Sequence, residues 1–169
     1  MAALNSYYAT PSVAGEHGFA LADAPWPHIF DPFRNAVAGK KVAVIGHFPF
    51  APKALNQAAD FYMLERSLNE GDYPDSAAEY ILPECDYVFI TGSAFVNKTA
   101  PRLLELSRES FNVVLGPSTP LAPVLLEDYG VSQVTGMVPT SPLAMFEGLS
   151  GTDAGTTMFD WGHRVELSA

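Results

Sequence analysis

One acidic segment, residues 65–75, concentrates the side chains of this chain that could bind a cation or a polar ligand. It directly follows an apolar run, residues 61–64, of the kind that forms buried strands. In an open parallel sheet, ligands bind just beyond the carboxyl ends of the strands, so the segment stands at a binding position. Its charged side chains are four carboxylates and one arginine: Glu65, Glu70, Asp72, Asp75 and Arg66.

The first strand-to-helix turn, residues 46–52, adds a histidine at the same edge. His47 could be a general base or a metal ligand, or a loop histidine bonded to backbone, and the sequence favours neither. A dinucleotide fold would carry G-x-G-x-x-G here, whereas only Gly46 is present and Phe48 fills the space. Classical dinucleotide binding is therefore not expected, although Glu65 lies at the usual distance for a ribose contact.

Two later turns combine small, hydroxyl and amide residues that could line the same site. Such residues suit an anion or a polar ligand beside a helix start, but they also cap helices, and both interpretations stay open. The candidate ligand-binding residues are Thr91, Gly92 and Asn97 in the third turn and Pro117, Ser118 and Thr119 in the fourth, beside Gly46, His47, Phe48 and Glu65.

A divalent metal ion is one candidate cofactor of this site. Carboxylate oxygens with an imidazole nitrogen suit borderline or hard divalent ions better than soft ones. The chain has no H-E-x-x-H motif, and the apolar surroundings of its only cysteine, Cys85, predict an inert thiol. The candidate metal ligands are His47, Glu65, Asp72 and Asp75.

Apolar runs and helical segments alternate from Lys40 onward, which predicts an α/β fold. Short apolar runs without strict alternation are typical of strands covered on both faces. We expect a doubly wound parallel sheet of about five strands, in a three-layer α/β/α arrangement, with strand order 3-2-1-4-5 and a further edge strand at 164–167. The five runs are 42–45, 60–64, 86–90, 111–115 and 131–135, and the helical segments are 53–59, 76–82, 99–108, 120–129 and 142–149.

Residues 1–40 form an irregular arm in front of the regular part, residues 41–169. Frequent prolines and glycines exclude long elements there, apart from one or two helical turns at residues 2–9. Many of its apolar side chains lie between Phe19 and Phe33, so the arm should pack on its own domain or on a partner. If nothing in the chain covers them, a homodimer is the simplest way to bury them.

The formal net charge of -10 argues against nucleic acid and anionic membrane surfaces as partners. No apolar run approaches the ~20 residues that a membrane span needs, and the N-terminus has no signal-peptide pattern. We therefore expect a cytoplasmic location.

The turns that follow the first four predicted strands together resemble one family, DUF364, known as the "putative heavy-metal chelation" domain. The resemblance implies a Rossmann-like domain for residues 41–169. Family members usually carry an additional N-terminal enolase-like domain, with the presumed site between the two domains. Here Met1–Asn5 resembles the joint into the second domain, so we expect the first domain to be missing, and whether a separate chain supplies it stays open. The segments are 43–50, 65–66 with 70–75, 90–93 with 97–99, and 116–121.

These observations leave three hypotheses about function. The leading hypothesis is binding of a metal ion, a metal chelate or a small polar metabolite at the carboxyl edge of the sheet. The alternative is an enzyme acting on a nucleoside-containing substrate, with Glu65 on the ribose. The third is a subunit that pairs with a separately encoded enolase-like domain. The sequence does not decide whether any reaction is catalysed.

Overall fold

The chain builds one mixed β-sheet, seen in a computed structural model that describes residues 1–23, 25–151 and 158–169. Within these residues the sheet has eight strands, in the order β1-β8-β7-β6-β5-β2-β3-β4. Strands β2 to β7 run parallel where they pair, whereas β8 is antiparallel to both β7 and β1. The strands are β1 (Ala20–Leu21), β2 (Lys41–Ile45), β3 (Asp60–Glu65), β4 (Tyr73–Pro74), β5 (Tyr87–Thr91), β6 (Phe111–Leu115), β7 (Gln133–Pro139) and β8 (Gly162–Ser168).

The predicted α/β class is confirmed, and the sheet has more strands than the five expected. The predicted order 3-2-1-4-5 is wrong, because the five expected strands lie in the order 2-1-3-4-5. The acidic segment explains the difference. Its residues Tyr73–Pro74 pair with Leu64–Glu65 as β4, so the free side of β3 is already occupied and β5 lies beside β2 instead.

The C-terminal strand is also longer and less peripheral than expected. The predicted edge strand 164–167 is part of β8, but β8 is not the edge, because β1 from the arm pairs outside it. Ala20 lies opposite Glu166 and Leu21 opposite Val165. The arm therefore contributes a strand to the sheet.

Short helices connect the strands, and most are shorter than the sequence pattern predicts. The predicted helix 120–129 reduces to Val124–Glu127, with Pro123 as its N-cap, and the predicted helix 53–59 is replaced by Ala51–Ala54. The α-helices are α1 (Ala2–Tyr8), α2 (Pro11–Glu16), α3 (Ala51–Ala54), α4 (Ala78–Ile81), α5 (Ser93–Val96), α6 (Ala100–Leu106), α7 (Val124–Glu127) and α8 (Pro142–Ser150). The 3-10 turns are Trp26–His28, Asp31–Phe33, Asp75–Ala77, Leu82–Glu84 and Met158–Trp161.

Each face of the sheet is covered by its own hydrophobic core, as expected of parallel strands. Along β2, Ala43 and Ile45 join the core under α4, α6 and α7, whereas Val42 and Val44 join the core on the other face. The arm supplies five buried side chains of that second core, from Trp26 to Val37. Phe30 is completely buried, and its ring lies 5.2 Å from the ring of Phe89, centroid to centroid.

The arm packs on both faces of the sheet, because several of its large apolar side chains are buried in the two cores. Phe19, Trp26, Ile29 and Phe33 are each at most 7% exposed. The homodimer was predicted from the exposure of these side chains, so that argument for it falls away, and the homodimer itself stays a prediction. None of the described helices is long and apolar enough to span a lipid bilayer.

Candidate functional site

An open cleft of about 680 Å³ lies at the carboxyl ends of β2, β3 and β5. In the strand order found, the chain reverses direction across the sheet between β2 and β5, and ligands of doubly wound folds bind at such a point. Apolar side chains such as Ile45, Leu64 and Leu103 are among its lining residues. The polar and charged lining residues are His47, Glu65, Arg66, Asp75, Ser76, Glu79, Thr91, Ser93, Asn97, Lys98, Thr99 and Arg102.

Gly46 lets the turn after β2 approach β5 closely. Its φ is +105°, a conformation that side chains rarely adopt. An added Cβ would lie 3.1 Å from the side chain of Thr91 and 3.2 Å from the ring of Phe48. A side chain at position 46 would therefore crowd both neighbours, so the close packing of this turn requires the glycine.

Glu65 joins the ends of β2 and β3 through its carboxylate. Oε2 accepts a hydrogen bond of 2.9 Å from the backbone N–H of His47, and Oε1 accepts one of 2.6 Å from the backbone N–H of Arg66. Both oxygens are therefore engaged by the chain itself, although the residue lines the cleft.

His47 is oriented by a carboxylate from the acidic segment. Its Nδ1 lies 3.0 Å from Oδ2 of Asp72, whose side chain is fully buried while that of His47 is 31% exposed. Burial of the Asp72 carboxylate opposes its ionisation. Hydrogen bonds from the backbone and side chain of Asn69, with the contact to His47, outweigh burial and hold the pKa of Asp72 below its usual value.

Two arginines in the cleft are paired with carboxylates. Arg66 Nε donates to Asp75 Oδ2 at 3.0 Å, and Arg102 Nε on α6 donates to Glu79 Oε1 at 2.9 Å. Arg102 also pairs with Glu105 on its own helix. The hydrogen bond from Arg102 holds the pKa of Glu79 below its usual value. These pairs are largely exposed, so we assign them little stability.

The turn between α5 and α6 presents Asn97, Lys98 and Thr99 to the cleft. Asn97 Oδ1 accepts hydrogen bonds from the backbone N–H of Thr99 at 3.1 Å and from its hydroxyl at 2.7 Å. Lys98 has a φ of +68°, and it is the one non-glycine residue with positive φ in the described part of the chain.

The turn after β6 does not reach this cleft. Pro117, Ser118 and Thr119 are absent from its lining, and Thr119 is buried against Gly92, where an added Cβ would lie 2.4 Å from the Thr119 nitrogen. The carbonyl of Ser118 accepts a hydrogen bond of 3.0 Å from Asn5 on α1. Gly92 thus serves the close packing of two turns, and β6 lies one strand too far from the switch point.

The four candidate metal ligands are not gathered into one cluster. His47 contacts Asp72, Glu65 accepts from backbone, and Asp75 pairs with Arg66. Among residues 1–23, 25–151 and 158–169, no group of three His, Cys, Asp or Glu side chains is arranged to hold an ion. The imidazole Nε2 of His47 has no hydrogen-bond partner in the described structure.

Sequence reasoning missed several lining residues. Lys98 and Thr99 stand beside Asn97 in a turn that the sequence already marks, so position in that turn was an available signal. Glu79 and Arg102 lie on α4 and α6, and no sequence pattern marks them as lining residues, because only tertiary packing brings these helices to the cleft.

Comparison with known proteins identifies relatives of this chain. The family model of DUF364, described as "Putative heavy-metal chelation", matches residues 28–165. An uncharacterized protein of Methanocaldococcus jannaschii is 29% identical over 101 residues, which is 56% of this chain and 39% of that protein.

Two crystal structures of DUF364 proteins of unknown function have the same fold. The protein from Desulfitobacterium hafniense is 43% identical with a TM-score of 0.85, over 98% of this chain and 64% of that one. The protein from Pyrococcus horikoshii is 21% identical with a TM-score of 0.77, over 99% of this chain and 66% of that one, and supports the fold alone. The chain thus spans less than two thirds of the length of each of these relatives.

Proposed function

Since the chain belongs to the DUF364 family, we propose that its cleft binds a small polar ligand in the form of a metal chelate. The observation that carries this proposal is the cleft of about 680 Å³ at the switch point of the sheet, lined by both apolar and charged side chains. A cavity of that size suits a small organic molecule rather than a bare ion. The family description adds the metal.

The few side chains of the cleft that could bind a metal suit a chelated ion better than a free ion. A protein that holds a divalent ion alone needs several convergent ligands, and no such group of three exists among the described residues. An organic chelator would bring most of the ligands with it. The protein then needs to supply only one ligand and contacts to the organic part.

His47 is the side chain that would contact the metal. Metal-binding histidines commonly hold their second ring nitrogen against a carboxylate, which fixes the ring orientation. Asp72 stands in that relation to Nδ1 of His47 at 3.0 Å, which leaves Nε2 for the ligand. Asp72 would therefore position His47, and Glu65 and Asp75 would maintain the turns around it.

The enzyme acting on a nucleoside has less support, because the turn after β2 lacks the glycines with which dinucleotide folds bind a pyrophosphate. Each oxygen of Glu65 accepts one backbone hydrogen bond and keeps a second lone pair for a ribose hydroxyl. Pairing with a separately encoded enolase-like domain stays a prediction about assembly, and so does a homodimer. Co-purification of a second chain tests the first, and the mass of the purified protein in solution tests the second.

Calorimetric titration of metal-free protein with nickel citrate and nickel iminodiacetate tests the proposal, with free nickel, free chelators and nucleosides as comparisons. We expect at least one chelate to bind more tightly than its separate components and to raise the melting temperature. His47→Gln should lose this binding, whereas His17→Gln, outside the cleft, should keep it. The proposal is overturned if no chelate binds, or if nucleosides alone stabilise the protein.

A further inference from the structure

We infer that Lys98 selects the charge of the ligand, so that the cleft takes an anion rich in carboxylate or phosphate oxygens. This inference rests on the proposed function, because it concerns the organic part of the ligand in the same cleft. It goes beyond that function in naming the chemical class of ligand and the residue that recognises it.

The first observation is that one cation of the cleft is unpaired among the described residues, whereas the other two are paired with carboxylates. Arg66 is paired with Asp75, and Arg102 is paired with Glu79 and Glu105. Glu65 is the third carboxylate of the lining, and its partners are two backbone N–H groups. The side chain of Lys98 makes no hydrogen bond or ion pair with any residue that the structure describes, and it is exposed. An anion can therefore reach this ammonium group without breaking an existing pair.

The second observation is the backbone of Lys98. The residue directly follows Asn97, the C-cap of α5, and the backbone N–H of Thr99 closes the motif with a hydrogen bond of 2.9 Å to Ala94 O. Glycine is usual at this position, because the left-handed conformation costs free energy when a Cβ is present. Lysine occupies this position at a φ of +68°, and residues in this conformation cluster at binding sites.

The third observation is the set of neutral polar groups that line the cleft near Lys98 in sequence. Thr91 at the end of β5 and Ser93 at the start of α5 carry hydroxyl groups that can donate, whereas the Thr99 hydroxyl already donates to Asn97 Oδ1. Hydroxyl donors beside one ammonium suit the several oxygens of a carboxylate or phosphate group. The net charge of -10 would repel an anion from the rest of the surface, so a local cation is needed to hold it.

Three substitutions distinguish the effect of the Lys98 charge on binding from the effect of its backbone conformation. Lys98→Gly and Lys98→Asn remove the charge with residues that accept positive φ, and Lys98→Arg keeps the charge. Lys53→Asn on α3, outside the cleft lining, is the matched loss of one positive charge. The probes are nickel citrate, the cationic nickel complex of triethylenetetramine, and citrate and inorganic phosphate without metal.

The wild type should bind nickel citrate at least tenfold more tightly than the cationic complex, and binding should weaken with added salt. Lys98→Gly and Lys98→Asn should lose this preference at an unchanged or raised melting temperature, while Lys98→Arg and Lys53→Asn keep it. If citrate and phosphate differ as metal-free probes, the tighter one identifies the anionic acceptor group that Lys98 prefers.

The failures of the two proposals differ. Equal affinity for both complexes, or a preference that survives Lys98→Asn, overturns the role of Lys98 while chelate binding stands. If no chelate binds, the proposed function fails, and free citrate or phosphate then decides the inference: Lys98-dependent binding supports it, and its absence overturns it. A lower melting temperature for Lys98→Gly would show that Lys98 serves the fold.

Discussion

Oε2 of Glu65 accepts a hydrogen bond of 2.9 Å from the backbone N–H of His47. This bond joins the end of β3 to the turn after β2, and a second bond, from the backbone N–H of Arg66, keeps the carboxylate in place. The side chain that would contact the metal is therefore positioned from two sides, by Glu65 through its backbone and by Asp72 through its ring.

Replacing Glu65 should destabilise the protein as well as weaken ligand binding. Glu65→Ala removes the charged acceptor of two backbone N–H groups, and because these bonds are exposed to water the cost should be about 0.5–1.5 kcal/mol. Glu65→Gln keeps one acceptor oxygen and should lie between the alanine variant and the wild type. Urea unfolding at neutral pH measures these differences.

Glu70→Ala is the matched control, because Glu70 is an exposed carboxylate of the same segment. Its effect should stay within about 0.5 kcal/mol of the wild type. A Glu65→Ala variant as stable as Glu70→Ala, yet without ligand binding, would show that Glu65 contacts the ligand directly.

The contribution of Asp72 should depend on pH. Because the pKa of Asp72 is lowered in the folded protein, its charge stabilises the fold above the unfolded value of roughly 3.9, and this stability is lost as pH falls through the lower folded pKa. Asp72→Asn keeps an acceptor oxygen for the Asn69 N–H but removes the charge. The variant should be less stable than the wild type at pH 6, and the difference should shrink as the pH falls below about 4.

Urea midpoints of both proteins across that range provide the measurement. The pKa values of Asp31 and Asp86 are also lowered, so the wild type alone will lose stability in acid for several reasons. Only the difference between the two proteins reports on Asp72. A difference that does not change with pH would mean that the shape of the side chain matters rather than its charge.

The sequence pattern was sufficient for the strands that the core covers. Val42, Val44 and Ile45 belong to a run whose side chains are buried on both faces, and burial of that kind leaves a strong apolar signal. The strand order failed because β4 is only Tyr73–Pro74, inside a polar segment with no apolar run. Such a strand is specified by its hydrogen bonds to β3, which a single sequence does not display.

The sequence predicted those site residues whose place follows directly from the end of a strand. His47, Glu65, Thr91 and Asn97 all line the cleft, because each follows or ends a strand near the switch point. Ser118 also follows a parallel strand, yet it lies outside the cleft lining. Ser118 lies outside because β6 pairs with β5 and β7, and not with β2. The wrong predicted order had put β6 beside β2, and therefore had put the turn after β6 in the site.

Gly92 should tolerate no side chain. An added Cβ would meet backbone atoms of Thr119 at 2.4 and 2.7 Å, and backbone cannot move aside as a flexible side chain can. Gly92→Ala should therefore cost about 1–3 kcal/mol or more. Gly15→Ala is the control, because Gly15 lies in α2 with open space around its Cβ position, and alanine should stabilise that helix by roughly 0.5–1 kcal/mol. Chemical denaturation that ranks both variants alike would contradict the close packing of these turns.

Phe30 should carry a large share of the stability that the arm gives to the sheet. Its ring is completely buried and lies 5.5 Å from Phe48, 5.7 Å from Phe50 and 5.2 Å from Phe89, measured between ring centroids. Phe30→Ala removes these contacts and leaves a cavity, so the free energy of unfolding should fall by about 3–5 kcal/mol.

Phe146→Ala gives the comparison for the same chemical change at a site with little burial. Phe146 on α8 is 69% exposed, so its truncation should change the free energy of unfolding by less than about 0.5 kcal/mol. Because Phe48 lines the cleft and packs on Phe30, the Phe30 variant should also bind the chelate more weakly under conditions where it remains folded. Equal stability of the two variants would mean that the arm is not packed on the sheet in solution, and its aromatic side chains would then be free to bury themselves against a second copy.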